Sequence, residues 1–255
     1  MNLEDIQILL TNDDGIFAPG LKVLKQIADT LSDDVWTVAP DTEQSGASHS
    51  LTLKQPIRLH DMKPKKYCVS GTPTDCVLLA LNQVLPKEKS TLVLSGINRG
   101  CNLGEDVTYS GTIAAAMEGT LLGAKSIAIS LEYEKHDEMY WDTVYEFAPD
   151  IIRKLVKLDW PENVLMNINF PAVPASEVTG VHLVRHGKRA VTDKFIERID
   201  PRGKPYYWIG MYDTDIDTGP DTDIGVIAQK GISITPLCLD LTAKAFMEKL
   251  EGIFK

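Results

Sequence analysis

The chain has 255 residues, enough for one large α/β domain, because single hydrophobic cores stop growing near ~250–300 residues. Hydrophobic residues make up 44% and charged residues 24%, a composition typical of soluble globular proteins that fold without disulfide staples. The 26 Lys and Arg residues against 36 Asp and Glu give a formal net charge of -10, which argues against duplex nucleic acid as a partner.

Short apolar runs alternate with helical stretches through the first two thirds of the chain. This order predicts βαβ units around a mainly parallel sheet, and continuous Val, Ile and Leu runs are typical of strands buried on both faces. Strands are predicted over 6–11, 35–39, 91–97, 126–131 and 164–169. Helices are predicted over 19–31, 74–85, 111–123 and 138–157. We expect an α/β fold, with a three-layer αβα Rossmann-like core over residues 1–180.

The sequence pattern changes after Pro171 and indicates a protruding β-hairpin. Two strand-like runs, 195–199 and 206–211, flank Asp200-Pro201-Arg202-Gly203, which has the residue types of a β-turn. Another strand-like run covers 181–185. We expect residues 181–230 to form an arm and connection that assembles a homodimer or homotetramer, because the aromatic residues 206–208 have little core of their own. A strand over 232–235 and a closing helix over 242–254 complete the last segment, 231–255.

Apolar runs and cysteine usage predict a cytoplasmic protein. No apolar run approaches the ~18 residues that a membrane-spanning helix needs, and the acidic start of the chain does not resemble a signal peptide. The four cysteines lie far apart without a C-x-x-C pair, which is typical of reduced thiols. We therefore expect neither a membrane partner nor a zinc site.

The first chemical signal is a pair of carboxylates at the end of the first predicted strand. Asp13 and Asp14 follow Leu9-Leu10-Thr11-Asn12, at the sheet edge where open α/β folds bind ligands. Adjacent carboxylates in an apolar setting repel each other unless a cation neutralises them, and oxygen ligands favour Mg²⁺ or Mn²⁺. An Asn-Asp-Asp-Gly turn with an Asp helix cap accounts for the motif equally well.

A Gly/Ser loop follows the second predicted strand. Its sequence, Gln44-Ser45-Gly46-Ala47-Ser48-His49-Ser50, lets backbone amides and hydroxyls approach a ligand closely. By sequence alone, a flexible polar loop is the better interpretation. His49 is the one histidine that lies in a motif, and it enters only as a speculative proton donor.

The longest signal covers residues 95–112, between the third predicted strand and the helix at 111–123. Asn98 supplies a neutral oxygen at the strand tip, and Ser110-Gly111-Thr112 begins the helix. Free N–H groups and the dipole at a helix start attract anions, phosphate above all. An Asn/Gly loop with an ordinary Ser or Thr cap is the plainer alternative, but the shared sheet edge with Asp13 and Asp14 favours a site.

An acidic stretch near the end of the chain resembles part of a calcium-binding loop. Four aspartates between 213 and 221 have the calcium spacing, but Thr218 stands where the loop needs glycine and Ile224 where it needs glutamate. We therefore reject calcium. The stretch is expected to be a solvated loop in which Asp221-Thr222-Asp223 caps a short helix.

Together these motifs resemble the SurE family of stationary-phase survival proteins, which are metal-dependent 5′/3′-nucleotidases and phosphatases. The matching stretches run in order along nearly the whole chain, at 10–15, 18–20, 38–41, 45–48, 71–75, 95–100, 109–112, 169–171, 200–203 and 233–237. The resemblance implies one divalent ion per subunit, Mg²⁺ or Mn²⁺, on Asp13, Asp14, Ser45 and Asn98. It also implies a phosphate site at Asn12, Asn102 and Ser110-Gly111-Thr112.

The expected reaction is hydrolysis of nucleoside 5′-monophosphates, with 3′-monophosphates as further substrates. The expected mechanism is in-line attack by metal-associated water, with Asp13 as the partner of that water and Asp14 beside it. Tyr109 is considered for stacking on the base. One alternative is a haloacid-dehalogenase-like phosphatase with a covalent aspartyl phosphate, although there the second Asp lies two residues on. The other is a nucleotide-binding protein without catalysis.

Overall fold

The structure is a computed structural model that describes residues 6–133, 139–189, 195–210 and 215–253. Its α-helices are Pro19–Ala28 (α1), Pro73–Leu79 (α2), Gly111–Leu121 (α3), Trp141–Lys157 (α4), Asp223–Ala228 (α5) and Lys244–Leu250 (α6). Its strands are Gln7–Thr11 (β1), Val35–Pro40 (β2), Leu59–Lys63 (β3), Lys66–Val69 (β4), Thr91–Arg99 (β5), Lys125–Leu131 (β6), Val164–Phe170 (β7), Val181–Leu183 (β8), Lys188–Arg189 (β9), Phe195–Ile199 (β10), Pro205–Ile209 (β11), Asp215–Asp217 (β12) and Ile232–Cys238 (β13). No described helix is long and apolar enough to cross a membrane. Residues 138, 211 and 254, where predicted elements begin or end, lie outside the described residues, as does Asp213.

One nine-stranded sheet organises the chain, in the order β3-β4-β2-β1-β5-β6-β7-β13-β8. β1 pairs in parallel with β2 and β5, and the parallel run continues through β6 to β7. The pairs β3–β4 and β7–β13 are antiparallel. The mainly parallel sheet predicted from the alternation of strands and helices is confirmed.

Helices cover both faces of this sheet because its central strands are apolar on both sides. Leu10 of β1 packs in one buried cluster with Leu24 of α1 and Ile152 of α4. Its neighbour Leu9 points to the opposite face and packs in a second cluster with Val77 of α2. The expected three-layer αβα architecture is therefore confirmed.

β10 and β11 form a separate antiparallel hairpin, as the aromatic segment predicts. Asp200 stabilises its turn, since Oδ1 accepts hydrogen bonds from the N–H groups of Arg202 and Lys204, both at 2.8 Å. The run predicted at 181–185 lies elsewhere, because β8 pairs with β13 at the edge of the large sheet. Within the segment 181–230, the hairpin itself thus covers Phe195–Ile199 and Pro205–Ile209.

Candidate active site

The carboxyl ends of β1, β2 and β5 meet at a cleft of about 1040 Å³. These three strands are parallel neighbours in the sheet, so the loops that follow them emerge at one edge. The predicted site residues in the cleft wall are Asp13, Asp14, Ser45, Asn98, Asn102, Tyr109 and Ser110. The sheet topology thus brings together side chains from distant stretches of the chain.

The start of α3 lies directly against Asp13. The Asp13 side chain is 5% exposed, and its Oδ1 accepts a hydrogen bond from the Thr112 hydroxyl. A Cβ atom at Gly111 would lie only 2.8 Å from Asp13 Cβ and 2.9 Å from its Oδ2. Glycine at 111 therefore lets the helix start approach the carboxylate this closely.

Burial and mutual repulsion shape the electrostatics of the two carboxylates. Burial raises the pKa of Asp13 above its ordinary value of 3.8, and the hydrogen bond from Thr112 opposes this only in part. Burial, followed by repulsion from Asp13, raises the pKa of Asp14 to about 6. Both shifts mean that the ionised pair is costly in this setting, and a cation between them would lower that cost.

The loop after β2 is tied to both sides of the cleft. Gln44 N–H donates to the Asp13 carbonyl oxygen at 2.8 Å, and Ser48 Oγ donates to the Thr108 carbonyl at 2.7 Å. The Ser45 hydroxyl donates to Glu43 Oε1 at 2.8 Å. These contacts place Ser45 beside the end of β1, so the Gly/Ser loop is anchored at both ends.

His49 turns away from the cleft. Its Nε2 lies 2.9 Å from Glu118 Oε2 on α3, and it does not belong to the cleft wall that the described residues form. This pairing gives His49 a partner on α3, and its use as a proton donor stays a prediction.

The end of β5 supplies the opposite wall. Asn98 Nδ2 donates to the Gly100 carbonyl at 2.8 Å, which turns the amide so that its oxygen is the end left for a ligand. A backbone hydrogen bond at Arg99 favours the ionised form of Asp14. The Arg99 guanidinium carbon lies 5.0 Å from the ring centroid of Tyr133, a cation–π contact in the cleft wall.

Comparisons with known proteins place this chain in a family. A family model described as survival protein SurE matches residues 8–193. The 5′-nucleotidase SurE of Paramagnetospirillum magneticum is 55% identical over 249 residues, covering 98% of this chain and 96% of that protein. The 5′-nucleotidase SurE of Parvibaculum lavamentivorans is 52% identical, with 97% and 92% covered. The crystal structure of the SurE protein from Aquifex aeolicus matches with a TM-score of 0.84 at 38% identity, covering 98% of this chain and all 100% of that one.

The chain belongs to the SurE family. The family inferred from the sequence motifs is thereby confirmed, and the structural match agrees with the α/β fold expected from the pattern of strands.

The donor set of this SurE-family cleft fits a hard divalent cation. The described residues hold no group of three or more His, Cys, Asp or Glu side chains placed for a metal ion. A metal here would instead use two carboxylates together with the hydroxyl of Ser45 and the amide oxygen of Asn98. Oxygen ligands of this kind suit Mg²⁺ or Mn²⁺ and not zinc.

Three residues of the expected phosphate site lie behind the cleft surface. Asn12 is fully buried, and its Nδ2 donates to the Gly15 carbonyl at 3.0 Å, so it supports the turn after β1. Gly111 and Thr112 are also buried, at the first turn of α3. Ser110 caps this helix, since its Oγ accepts from the Ile113 N–H at 3.1 Å. Asp13 and Asp14 cap no helix, because α1 begins after Ala18.

Sequence reasoning missed a second arginine of the cleft. Arg189 of β9 lines the wall, where its Nη1 lies 2.6 Å from Asp106 Oδ2. The two residues are 83 positions apart, and no local motif connects them. The contact between β9 and the cleft is therefore visible only in the folded structure.

The acidic stretch is only partly the solvated loop expected from its composition. Thr222 caps α5 as predicted, accepting from the Gly225 N–H at 3.0 Å. Asp223, however, is fully buried and accepts from Gly104 N–H at 3.0 Å and Gly187 N–H at 2.7 Å. The expectation of solvation was wrong for Asp223, because two buried backbone donors need its carboxylate.

Proposed function

We propose that this chain is a metal-dependent 5′-nucleotidase that converts nucleoside 5′-monophosphates, and also 3′-monophosphates, to nucleoside and phosphate. The SurE relatives that carry the name 5′-nucleotidase match it at 52–55% identity over nearly its whole length. The structural observation that supports the proposal is the contact between the buried Asp13 and the start of α3. This contact puts a carboxylate that can bind a cation next to a helix start that can bind an oxyanion.

The cation would be held by Asp13, Asp14, Ser45 and Asn98, as one Mg²⁺ or Mn²⁺ ion per subunit. When bound, such an ion supplies positive charge at the phosphoryl group and acidifies water. The oxygen donors come from the turn after β1, the loop after β2, and the end of β5, so loss of any one weakens a set built from three segments.

The phosphate group would lie at the start of α3. The Ser110 hydroxyl accepts from Ile113, which leaves its hydrogen for donation to a phosphoryl oxygen. The backbone N–H groups of the first helical turn have no partners within the helix and favour anions. Asn102 lies in the same wall and completes the proposed contacts.

Asp13 would accept the proton of the attacking water. The new bond would form between that oxygen and phosphorus while the ester bond to the nucleoside oxygen breaks. The proton taken up by Asp13 would then pass through water to the departing nucleoside oxygen, which leaves as the alcohol and returns Asp13 to its ionised form. The Thr112 hydroxyl holds Oδ1 and so fixes the rotation of this carboxylate.

Tyr109 is proposed for stacking on the nucleobase. Its ring is 49% exposed and lines the cleft next to Ser110. Stacking on an exposed tyrosine is sequence-tolerant, because every base has a π-face. Tyr133, also in the wall, already packs against the Arg99 guanidinium.

Phosphate release from AMP tests the proposed function. The wild-type protein should release phosphate with Mn²⁺ or Mg²⁺ and stop when EDTA is added. Asp13→Ala should lose this activity, whereas Asp33→Ala, at an exposed aspartate outside the described cleft wall, should keep it. Binding of AMP without release would favour the binding protein, and a beryllofluoride-trapped aspartyl phosphate analogue on Asp13 would favour the dehalogenase-like enzyme.

A further inference from the structure

A buried asparagine behind the cleft contacts the backbone of Asn102 at two points. Asn169 of β7 is 0% exposed. Its Oδ1 accepts from the Asn102 N–H at 2.8 Å, and its Nδ2 donates to the Asn102 carbonyl at 3.3 Å. One side chain thus pairs with both hydrogen-bonding groups of a residue that lies 67 positions earlier.

Two further buried side chains hold the same residue. Asn167 Nδ2 donates to the Asn102 carbonyl at 2.8 Å, and Asn102 Nδ2 donates to Ser130 Oγ at 2.8 Å. Asn167 and Asn169 are two residues apart on β7 and share a face of the sheet, and Ser130 of β6 pairs with Asn169 in register. The carboxyl ends of β6 and β7 therefore form a polar clamp on Asn102.

The clamp is costly to build into a sheet interior. Buried amides lose their water and must recover every hydrogen bond within the protein, so an apolar residue would be the cheaper choice for packing alone. Asn102 lines the cleft, and the 3₁₀ turn Gly104–Thr108 and Ser110 follow it. The position of Asn102 thus sets the start of the chain segment that leads to the phosphate site.

We propose that Asn169 is a positioning residue for phosphate binding, acting through Asn102 without touching the substrate. Its amide offers one donor and one acceptor to the backbone of residue 102, which fixes that backbone, while Ser130 holds the Asn102 side chain. This proposal rests on the phosphate site of the proposed function.

Asn169→Asp tests it by removing the donor without changing the shape of the side chain. In its ionised form the introduced carboxylate repels the Asn102 carbonyl, whereas the protonated acid again has one O–H donor and one carbonyl acceptor. Near pH 8 we expect kcat/KM for AMP to fall about ten- to hundredfold, mostly through KM. Because burial raises a carboxyl pKa, the ratio of variant to wild-type kcat/KM should recover about tenfold as the pH falls towards 5.5.

Two variants keep the result interpretable. Asn163→Asp makes the same change at an exposed position just before β7 and should leave the activity and its pH profile unchanged. Ser130→Ala removes one acceptor from Asn102 with little change in volume and should raise KM about threefold to tenfold with kcat nearly unchanged. Thermal unfolding checks that each variant is folded. If Asn169→Asp does not fold, the test rests on Ser130→Ala. An unchanged KM for AMP in Ser130→Ala then overturns the proposal.

Titration calorimetry with inorganic phosphate measures the effect of the clamp on phosphate affinity separately from its effect on catalysis. The clamp predicts that Asn169→Asp binds phosphate at least about tenfold more weakly than wild type near pH 8. Equal phosphate affinity in a folded variant, or an activity ratio that stays flat with pH, would overturn it. A wild type that binds phosphate but releases none from AMP would instead reject the proposed nucleotidase.

Discussion

The contact of Gly111 with Asp13 leads to a prediction at the scale of single residues. In Gly111→Ala, the new methyl group would lie 2.8 Å from Asp13 Cβ and must push the carboxylate or the helix start aside. A displacement near 1 Å at a reacting group costs about a hundredfold in rate, so we expect kcat/KM for AMP to fall between about ten- and hundredfold.

Steady-state kinetics measures this effect, with Gly252→Ala as the matched control. A Cβ at Gly252 meets nothing within 4 Å, so that variant should behave as wild type. Retention of full activity by a folded Gly111→Ala protein would show that the site tolerates a looser Asp13.

Tyr109 gives a second prediction for a single side chain. If its ring stacks on the base, Tyr109→Ala should reduce kcat/KM for AMP about five- to fiftyfold while changing p-nitrophenyl phosphate hydrolysis little, because that substrate has no nucleobase. The ratio of the two kcat/KM values is the measurement. An unchanged ratio would remove Tyr109 from the base site.

The cleft residues fall into two groups: those that lie next to a strand recognisable in the sequence, and those whose contacts join distant parts of the chain. Asp13 and Asp14 come just after the apolar strand β1, and Asn98 lies near the end of β5, so the rule that ligands bind at carboxyl strand ends was sufficient to predict that they line one cleft. Arg189 and Asp223 act over long sequence separations, on Asp106 and Gly104, and no spacing rule predicts such contacts. Sequence reasoning therefore found the cleft residues at the ends of β1 and β5 and missed the wall that Arg189 supplies, while their roles in metal and phosphate binding stay predictions.

Among the secondary-structure elements, the strands predicted correctly are those whose burial on both faces requires a continuous run of apolar residues. β1, β5 and β6 are buried on both faces and read as continuous apolar runs. β3 was missed because its residues, Leu-His-Asp-Met-Lys, are all exposed and have no periodic apolar pattern. Leu121 continues the apolar pattern of α3 yet is 61% exposed, because sequence periodicity does not show where the covering layer ends.

Asp34 connects three elements and predicts a pH-dependent stability. It lies just before β2, and its carboxylate contacts Lys65 Nζ at 2.7 Å and Lys89 Nζ at 2.6 Å. Burial alone would raise the pKa of Asp34, but hydrogen bonds from Lys65, Lys89 and Trp36 outweigh it and lower the pKa from 3.8 to about 2. A lowered pKa in the folded state means that this stabilisation is complete above about pH 4 and is lost as the pH falls towards 2.

Asp34→Asn should therefore reduce the free energy of unfolding by about 1–2 kcal/mol at pH 7, a range discounted for the half-exposed lysines. Urea unfolding of the two proteins at several pH values measures the difference, which should shrink between about pH 4 and pH 2. Asp33→Asn, at the exposed neighbour, serves as the control. A difference that stays constant down to pH 2 would show that the ion pairs are not its source.

At the scale of the whole molecule, the β10–β11 hairpin is the proposed assembly surface. Trp208 is 63% exposed and shares a face of the hairpin with the exposed Ile196, its cross-strand partner, while Phe195, Ile199 and Ile209 are exposed on the opposite face. Contiguous exposed apolar side chains on a folded protein often mark contact surfaces. We propose that the hairpin joins a homodimer or homotetramer, so Trp208→Asp should lower the mass measured by light scattering towards the 28.2 kDa of one chain.

Leu158→Asp provides the control for assembly, because Leu158 is exposed but lies at the end of α4. It should leave the mass unchanged. A wild-type protein that is already monomeric at micromolar concentration would contradict the proposed role of the hairpin.

We propose that oxygens from three chain segments bind one divalent cation beside the start of α3. Titration of metal-free protein with Mn²⁺, followed by electron paramagnetic resonance, tests it most directly. We predict one Mn²⁺ per wild-type chain, and binding weakened at least about tenfold in Asp13→Asn and in Asn98→Ala, with Asp33→Asn unchanged. Equal Mn²⁺ affinity in the wild type and both site variants, or no Mn²⁺ bound by the wild type, would contradict the proposed metal site.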